Sequence, residues 1–419
     1  MGTTSRPAGP VIRCQRAPSS RHTDVHHRQD RAMAIIRAPH EFNASDLFVD
    51  LRSTVGESLF LKCEGFNFAG SIKLKAATEM VEAAERDGVL TPSSILIESS
   101  SGNLGIALSL IAASKGYTFV CVTDSRCNTS ARLLMEALGA EVHVIDKPAD
   151  VGGLLGARLA FLRARLESDE RYVWLNQYAN PANWGAHYRT TAPSIAAAFP
   201  ELDVLFVGAG TTGTLMGCAR WFREWHRPVT VVAVDAVGSS TFGTRPGRRM
   251  IPGLGTSVRP DLLDESVVDD IVHVEEIDTI RTCHTLARGG FLFGGSTGTV
   301  VSGALDWLAR HPSPGRTSVA ISPDLGERYL ETVYRSEWIE ECYGPAALDL
   351  VAEPTPKRPD RRQSSVSARG RFPTEAALPS LRRSVAANDS ALSVEAPDWR
   401  RVTASGGSHG SLGSAPGLR

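Results

Sequence analysis

The chain has 419 residues, 42% of them hydrophobic, and a formal net charge of −1. That length supports more than one core, and the balanced charge excludes a generally nucleic-acid-binding or membrane-surface protein. No apolar run approaches the roughly 18 residues of a spanning helix, so no membrane segment is expected.

From the N-terminus, residues 1–32 hold six arginines and three histidines with no apolar period. Such a stretch cannot bury a core, and a disordered leader is expected over 1–39. The body is expected over 40–350. Its first marked stretch is "FAGSIKLKAA" (68–77), which places Lys73 and Lys75 where a loop enters a helix over 75–86. A helix start disfavours positive charge. Positions i and i+2 also point about 200° apart, so the two lysines cannot serve one site.

Short β-branched runs then alternate with helix-length segments. Strands are expected at 93–98, 119–123, 141–145, 172–175, 203–208, 229–235 and 318–321, and helices at 103–115, 129–138, 153–168 and 213–225. Most of the runs are continuously apolar, as in parallel strands covered on both faces. The alternation predicts a doubly wound α/β fold, with ligands bound past the carboxyl ends of the strands. Residues 351–419, rich in Pro, Ser and Arg, read as a disordered tail. The seven cysteines show no metal-ligand spacing and read as reduced packing residues, consistent with a cytoplasmic protein.

Three glycine-rich turns fall where ligands should bind. "GAGTTGT" (208–214) matches GxGxxG after a strand, and Asp235 ends the next strand 22 residues past Gly213. That is a formally good dinucleotide motif. The same free amides also hold any phosphate, or form a structural turn. "ESSSGNLG" (98–105) suits a carboxylate, or simply caps a helix. "GGSTGT" (294–299) offers Ser296 in either role. A lysine, a phosphate cup, a carboxylate loop and a hydroxyl are together the parts that pyridoxal phosphate requires. A nicotinamide enzyme needs no such lysine.

"FNFAGSIKLKAA", "ESSSGNLGIAL", "NQYANPANWGAHYRTTAPSI", "VGAGTTGTLMG", "LFGGSTGTVVSGA" and "PDLGERYLETVY" are similar, in order and spacing, to the cysteine synthase/cystathionine β-synthase family. The resemblance covers about 45–345. It implies pyridoxal-phosphate fold type II: two interleaved α/β domains, the smaller over roughly 85–190, with the active site between them and a homodimer as the assembly. It implies Lys73 as the Schiff-base lysine and Asn103 as the partner of the cofactor's ring hydroxyl. Gly210, Thr211, Thr212, Gly213 and Thr214 become the phosphate cup, and Ser296 the pyridine-nitrogen partner. Ser100, Ser101 and Gln177 would hold the substrate α-carboxylate. An idle scaffold of this fold is disfavoured by the intact lysine and cup.

Two departures stand out. The family usually reads S-[IV]-K-D-R where this chain has Ser71-Ile72-Lys73-Leu74-Lys75, and T-S-G-N-T-G where it has Leu104 in the fifth place. The text is closer to the branch that joins an O-activated L-serine, such as O-phospho-L-serine, to the amine of L-glutamate. That branch makes N-(2-amino-2-carboxyethyl)-L-glutamate, which supplies 2,3-diaminopropionate for siderophores and peptide antibiotics; cysteine synthesis from sulfide is the alternative. Glutamate's two carboxylates require extra positive charge. The basic loop 245–259, with Arg248 among its arginines, is the candidate; Arg132 and His187 are weaker ones.

Overall fold

Among the described residues, ten strands form two sheets. The structure, a computed structural model, describes residues 36–352 apart from Asn43, Ser45, Val151, Gly152 and His226. The expected leader and tail therefore lie outside the described residues, save for 36–39 and 351–352.

The strands are β1 (Phe48–Asp50), β2 (Leu59–Cys63), β3 (Ile95–Ser99), β4 (Thr118–Asp124), β5 (Glu141–Ile145), β6 (Tyr172–Trp174), β7 (Val204–Gly208), β8 (Thr230–Ala236), β9 (Asp270–Val274) and β10 (Ser318–Ser322). The larger sheet runs β1-β2-β10-β7-β8-β9 and the smaller β5-β4-β3-β6. Every pair is parallel except β1 with β2.

The helices are α1 (Arg52–Val55), α2 (Lys73–Arg86), α3 (Asn103–Lys115), α4 (Thr129–Ala137), α5 (Gly153–Ser168), α6 (Pro181–Arg189), α7 (Thr191–Ala198), α8 (Gly213–Glu224), α9 (Glu276–Arg288), α10 (Gly295–Arg310), α11 (Ser336–Tyr343) and α12 (Ala346–Ala352). The last ends two residues beyond the expected body, because Val351 is buried against the C-terminal helices.

Strand periodicity builds the large core. Leu205 and Val207 of β7 face α7 and α8, where Ile195, Leu215 and Met216 close the layer. Their neighbours Val204 and Phe206 face the other way, toward Val300, Ala304 and Trp307 of α10. The small sheet is covered likewise, by α2, α3 and α4 on one face and by Leu162 of α5 on the other. Leu74 and Leu104, the two departures from the family pattern, lie in the same buried cluster of this small sheet.

Parallel strands deliver helix starts to one edge. α3 follows β3 and α8 follows β7 at their carboxyl ends, and neither they nor α10 has a side-chain cap at the N-cap position. α4 and α6, by contrast, are each capped by an asparagine. Three helix starts without a side-chain cap from the N-cap residue therefore mark the region to examine.

Candidate active site

Lys73 and Lys75 part as helical geometry requires. Lys75 is buried, with Nζ 2.7 Å from Glu64 Oε2 and 3.2 Å from Thr191 Oγ1. Lys73 is half-exposed and has no hydrogen-bond or ion-pair partner among the described residues. Burial pushes its amine down to about 8. β10 fixes where it starts: Ile72 N–H donates to Pro323 O at 2.7 Å, and Ser71 pairs with Asp324. Ser71 Oγ is buried without a partner.

The threonine turn is a cup of amides. Thr212 sits at φ 65°, in the left-handed region that β-branched residues avoid, and the twist turns successive N–H groups inward. The amides of residues 210–215 have no acceptor among the described residues. A Cβ on Gly210 would stand 2.9 Å from Gly253 O, and one on Gly213 would collide with the Asn183 amide. Asn183 in turn donates to Gln177 O at 2.7 Å and to Thr211 Oγ1 at 3.0 Å. Thr214 Oγ1 lies 3.2 Å from His187 Nε2.

At the serine loop the capping reading holds in part, since Ser100 Oγ accepts from Gly105 N–H at 3.0 Å. Ser101 is half-buried and has no hydrogen-bond partner among the described residues. Gln177 is buried; its Nε2 reaches Ser99 O at 3.4 Å, and its N–H donates to Glu98 Oε2 at 3.3 Å. Glu98 is itself pushed up to about 7 by burial, against the opposing bonds from Trp174, Ser99 and Gln177.

Asn103 opens α3. Its Oδ1 accepts from Arg328 Nη1 at 2.6 Å and its Nδ2 donates to Asp324 Oδ2 at 3.4 Å. Asp324, raised by burial, also accepts from Tyr329 O–H at 2.6 Å. Ser296, buried at the start of α10, lies beside Tyr329 and Gly253. Hydrogen bonds thus tie Gln177 to the 210–214 cup through Asn183, and Asn103 to Ser296 through Asp324 and Tyr329. Asn183, Asp324, Arg328 and Tyr329 join them, although nothing but their place in the quoted motifs marked them in the sequence.

The basic candidates divide. Arg132 is half-buried on α4, 3.6 Å from Glu136. Arg248 is exposed, with Nε 3.2 Å from Met250 Sδ. Its neighbour Arg249 turns inward: Nη1 donates to Leu254 O at 3.2 Å, while its Nε is buried without a partner. His187 is buried with its ring held neutral, far below its ordinary titration range, by burial and the nearby lysine charges. Asp235, the acid of the dinucleotide motif, is fully buried and accepts from Ala236 N–H at 2.8 Å.

An acid-free amide cup whose glycines leave no room for a side chain, together with a partnerless lysine amine, fits a phosphorylated aldehyde cofactor. The family described as pyridoxal-phosphate dependent enzyme matches residues 48–324. The chain belongs to that family, and pyridoxal phosphate is its cofactor. A curated relative, the N-(2-amino-2-carboxyethyl)-L-glutamate synthase of Ralstonia nicotianae, is 39% identical over 300 residues, 71% of this chain and 88% of the relative. A solved hydrogen sulfide-producing enzyme from Fusobacterium nucleatum is similar with a TM-score of 0.66 and 30% identity, covering 71% of this chain and all of that one. A solved O-ureido-L-serine synthase is similar with a TM-score of 0.66 and 32% identity, covering 75% of this chain and all of that one.

Proposed function

We propose that the enzyme replaces the β-substituent of O-phospho-L-serine by the amine of L-glutamate, giving N-(2-amino-2-carboxyethyl)-L-glutamate, a source of 2,3-diaminopropionate. The Cβ–O bond breaks with release of phosphate, a Cβ–N bond forms, and the attacking amine loses a proton. When bound, the cofactor supplies the electron sink that makes this substitution at Cβ accessible. Lys73 carries the proton to and from Cα, its amine being partly neutral at working pH. The cup at 210–214 holds the cofactor phosphate, Asn103 and Ser296 orient the ring, and Ser100, Ser101 and Gln177 orient the substrate carboxylate. A neutral serine hydroxyl at the ring nitrogen suits elimination and replacement over transamination.

The observation that carries the choice of glutamate is Arg249. Its inward guanidinium keeps a buried, unpartnered Nε on the same loop as Gly253, which lies against Ser296 and Gly210. A second-substrate carboxylate would satisfy that donor. The relative's printed activity supports the same reading. Leu104 does not carry it, because its side chain is packed in the small-sheet core.

The test supplies purified holoenzyme with O-phospho-L-serine and equal glutamate and sulfide, and identifies products by mass spectrometry. The glutamate adduct is expected to dominate. Arg249→Ala is expected to raise the glutamate requirement by roughly thirtyfold, the effect of one lost bidentate carboxylate contact. Cysteine formed while glutamate goes unconsumed overturns the reading in favour of cysteine synthesis from sulfide.

A further inference from the structure

The threonine cup contributes no cation of its own, yet a phosphate ester carries close to two negative charges at neutral pH. A buried charge cluster lies a few hydrogen bonds away. Lys62 and Lys75, both buried, share one carboxylate: Glu64 Oε1 is 3.0 Å from Lys62 Nζ and Glu64 Oε2 is 2.7 Å from Lys75 Nζ. Glu64 thus joins two ammonium groups inside the protein, and burying ions costs several kcal/mol each unless their partners repay it, so each further bond leading out of the cluster matters.

The cluster has an outlet. Lys75 Nζ donates to Thr191 Oγ1 at 3.2 Å, Thr191 Oγ1 lies 3.1 Å from His187 Nδ1, and His187 Nε2 lies 3.2 Å from Thr214 Oγ1. An ammonium only donates, so Thr191 accepts from Lys75, and its own hydroxyl proton has His187 Nδ1 as its one acceptor among the described residues. A neutral imidazole that accepts at Nδ1 carries its proton on Nε2, which then donates to Thr214. Thr214, having accepted, is left with its hydroxyl proton free to donate into the cup. Burial that keeps His187 neutral is consistent with this tautomer.

We propose that Lys75 is a positioning residue for cofactor binding: through Thr191 and His187 it fixes Thr214 as a hydrogen-bond donor to the cofactor phosphate. The inference rests on the reading of the 210–214 cup as the phosphate site. Hydrogen bonds in such a chain polarise one another, so the ammonium at its head strengthens the donor at its end.

The experiment compares pyridoxal phosphate with pyridoxal, which lacks the phosphate, as ligands for the wild-type apo-protein and for Lys75→Met, Lys75→Arg and Thr191→Val. Lys75→Met removes the donor at the head of the chain and leaves the Lys62–Glu64 ion pair in place, and Thr191→Val cuts the chain without removing charge, so one variant covers for the other if either fails to fold. Lys75→Met and Thr191→Val are expected to weaken pyridoxal phosphate on the order of tenfold while leaving pyridoxal unchanged. They should also move the phosphorus-31 resonance of the holoenzyme and shift the His187 ring-nitrogen signals from one tautomer toward a mixture. Lys75→Arg should restore all three. Equal loss of both ligands, or no change in the phosphorus and ring-nitrogen signals, overturns the relay. Failure of the cup reading is distinguishable, because wild type would then bind pyridoxal as tightly as pyridoxal phosphate.

Discussion

An ordinary lysine amine is neutral in about one molecule per thousand at pH 7.5, whereas an amine pushed down to about 8, as Lys73 is, is neutral in roughly a quarter. The lysine charge is lost as pH rises through the lowered value, so the form able to attack an aldehyde saturates early. Capture of pyridoxal phosphate by apo-protein, followed by absorbance, is expected to quicken with pH and level off above about 8. A rate still climbing toward pH 10 would contradict the burial argument. Lys73→Ala should hold no covalently attached cofactor after borohydride treatment and denaturation, whereas Lys75→Ala should retain it. The 200° separation legible in "SIKLK" separates these two outcomes.

At the scale of elements, the approach of α8 to α6 sets the site. Gly217 of α8 faces α6 so closely that a Cβ there would stand 2.7 Å from His187 Cβ and 2.8 Å from Tyr188 N, with Trp184 O closer still. Backbone cannot yield as a flexible side chain can. Gly217→Ala is expected to lower unfolding free energy by about 1–3 kcal/mol, measured by urea denaturation, and to displace His187 from Thr214. Unchanged stability would mean that the helices separate freely.

The strands expected from continuous apolar runs, such as Val204–Gly208 and Ser318–Ser322, appear within a residue or two of their expected limits, because covering on both faces writes itself directly into composition. β2 was not legible: Lys62 interrupts "LFLKC", and Glu64, two residues on, supplies a partner that helps its burial. β9, at the sheet edge, alternates polar and apolar residues too briefly to register. In the site, the lysine and the glycine turns were legible because each is local in sequence. Asp324 and Arg328 were not, since they reach Asn103 across 221 and 225 residues.

For the whole molecule, all the residues gathered at the site lie between Glu64 and Tyr329. A 33–352 fragment is therefore expected to keep full cofactor content and turnover, measured by absorbance and product formation; loss of either would assign the ends a part in the fold.

Lys73 opens a helix whose Leu74, Ala77, Met80 and Val81 belong to the small-sheet core, while the cup opens a helix whose Leu215 and Met216 belong to the large-sheet core. A ligand gripped at both ends is thus a strut between two hydrophobic interiors. Free ligand at a hundred times its dissociation constant adds about 2.7 kcal/mol against unfolding. The abundance of this protein in a cell is thereby expected to fall with vitamin B6 supply, because the unliganded chain lacks that stabilisation.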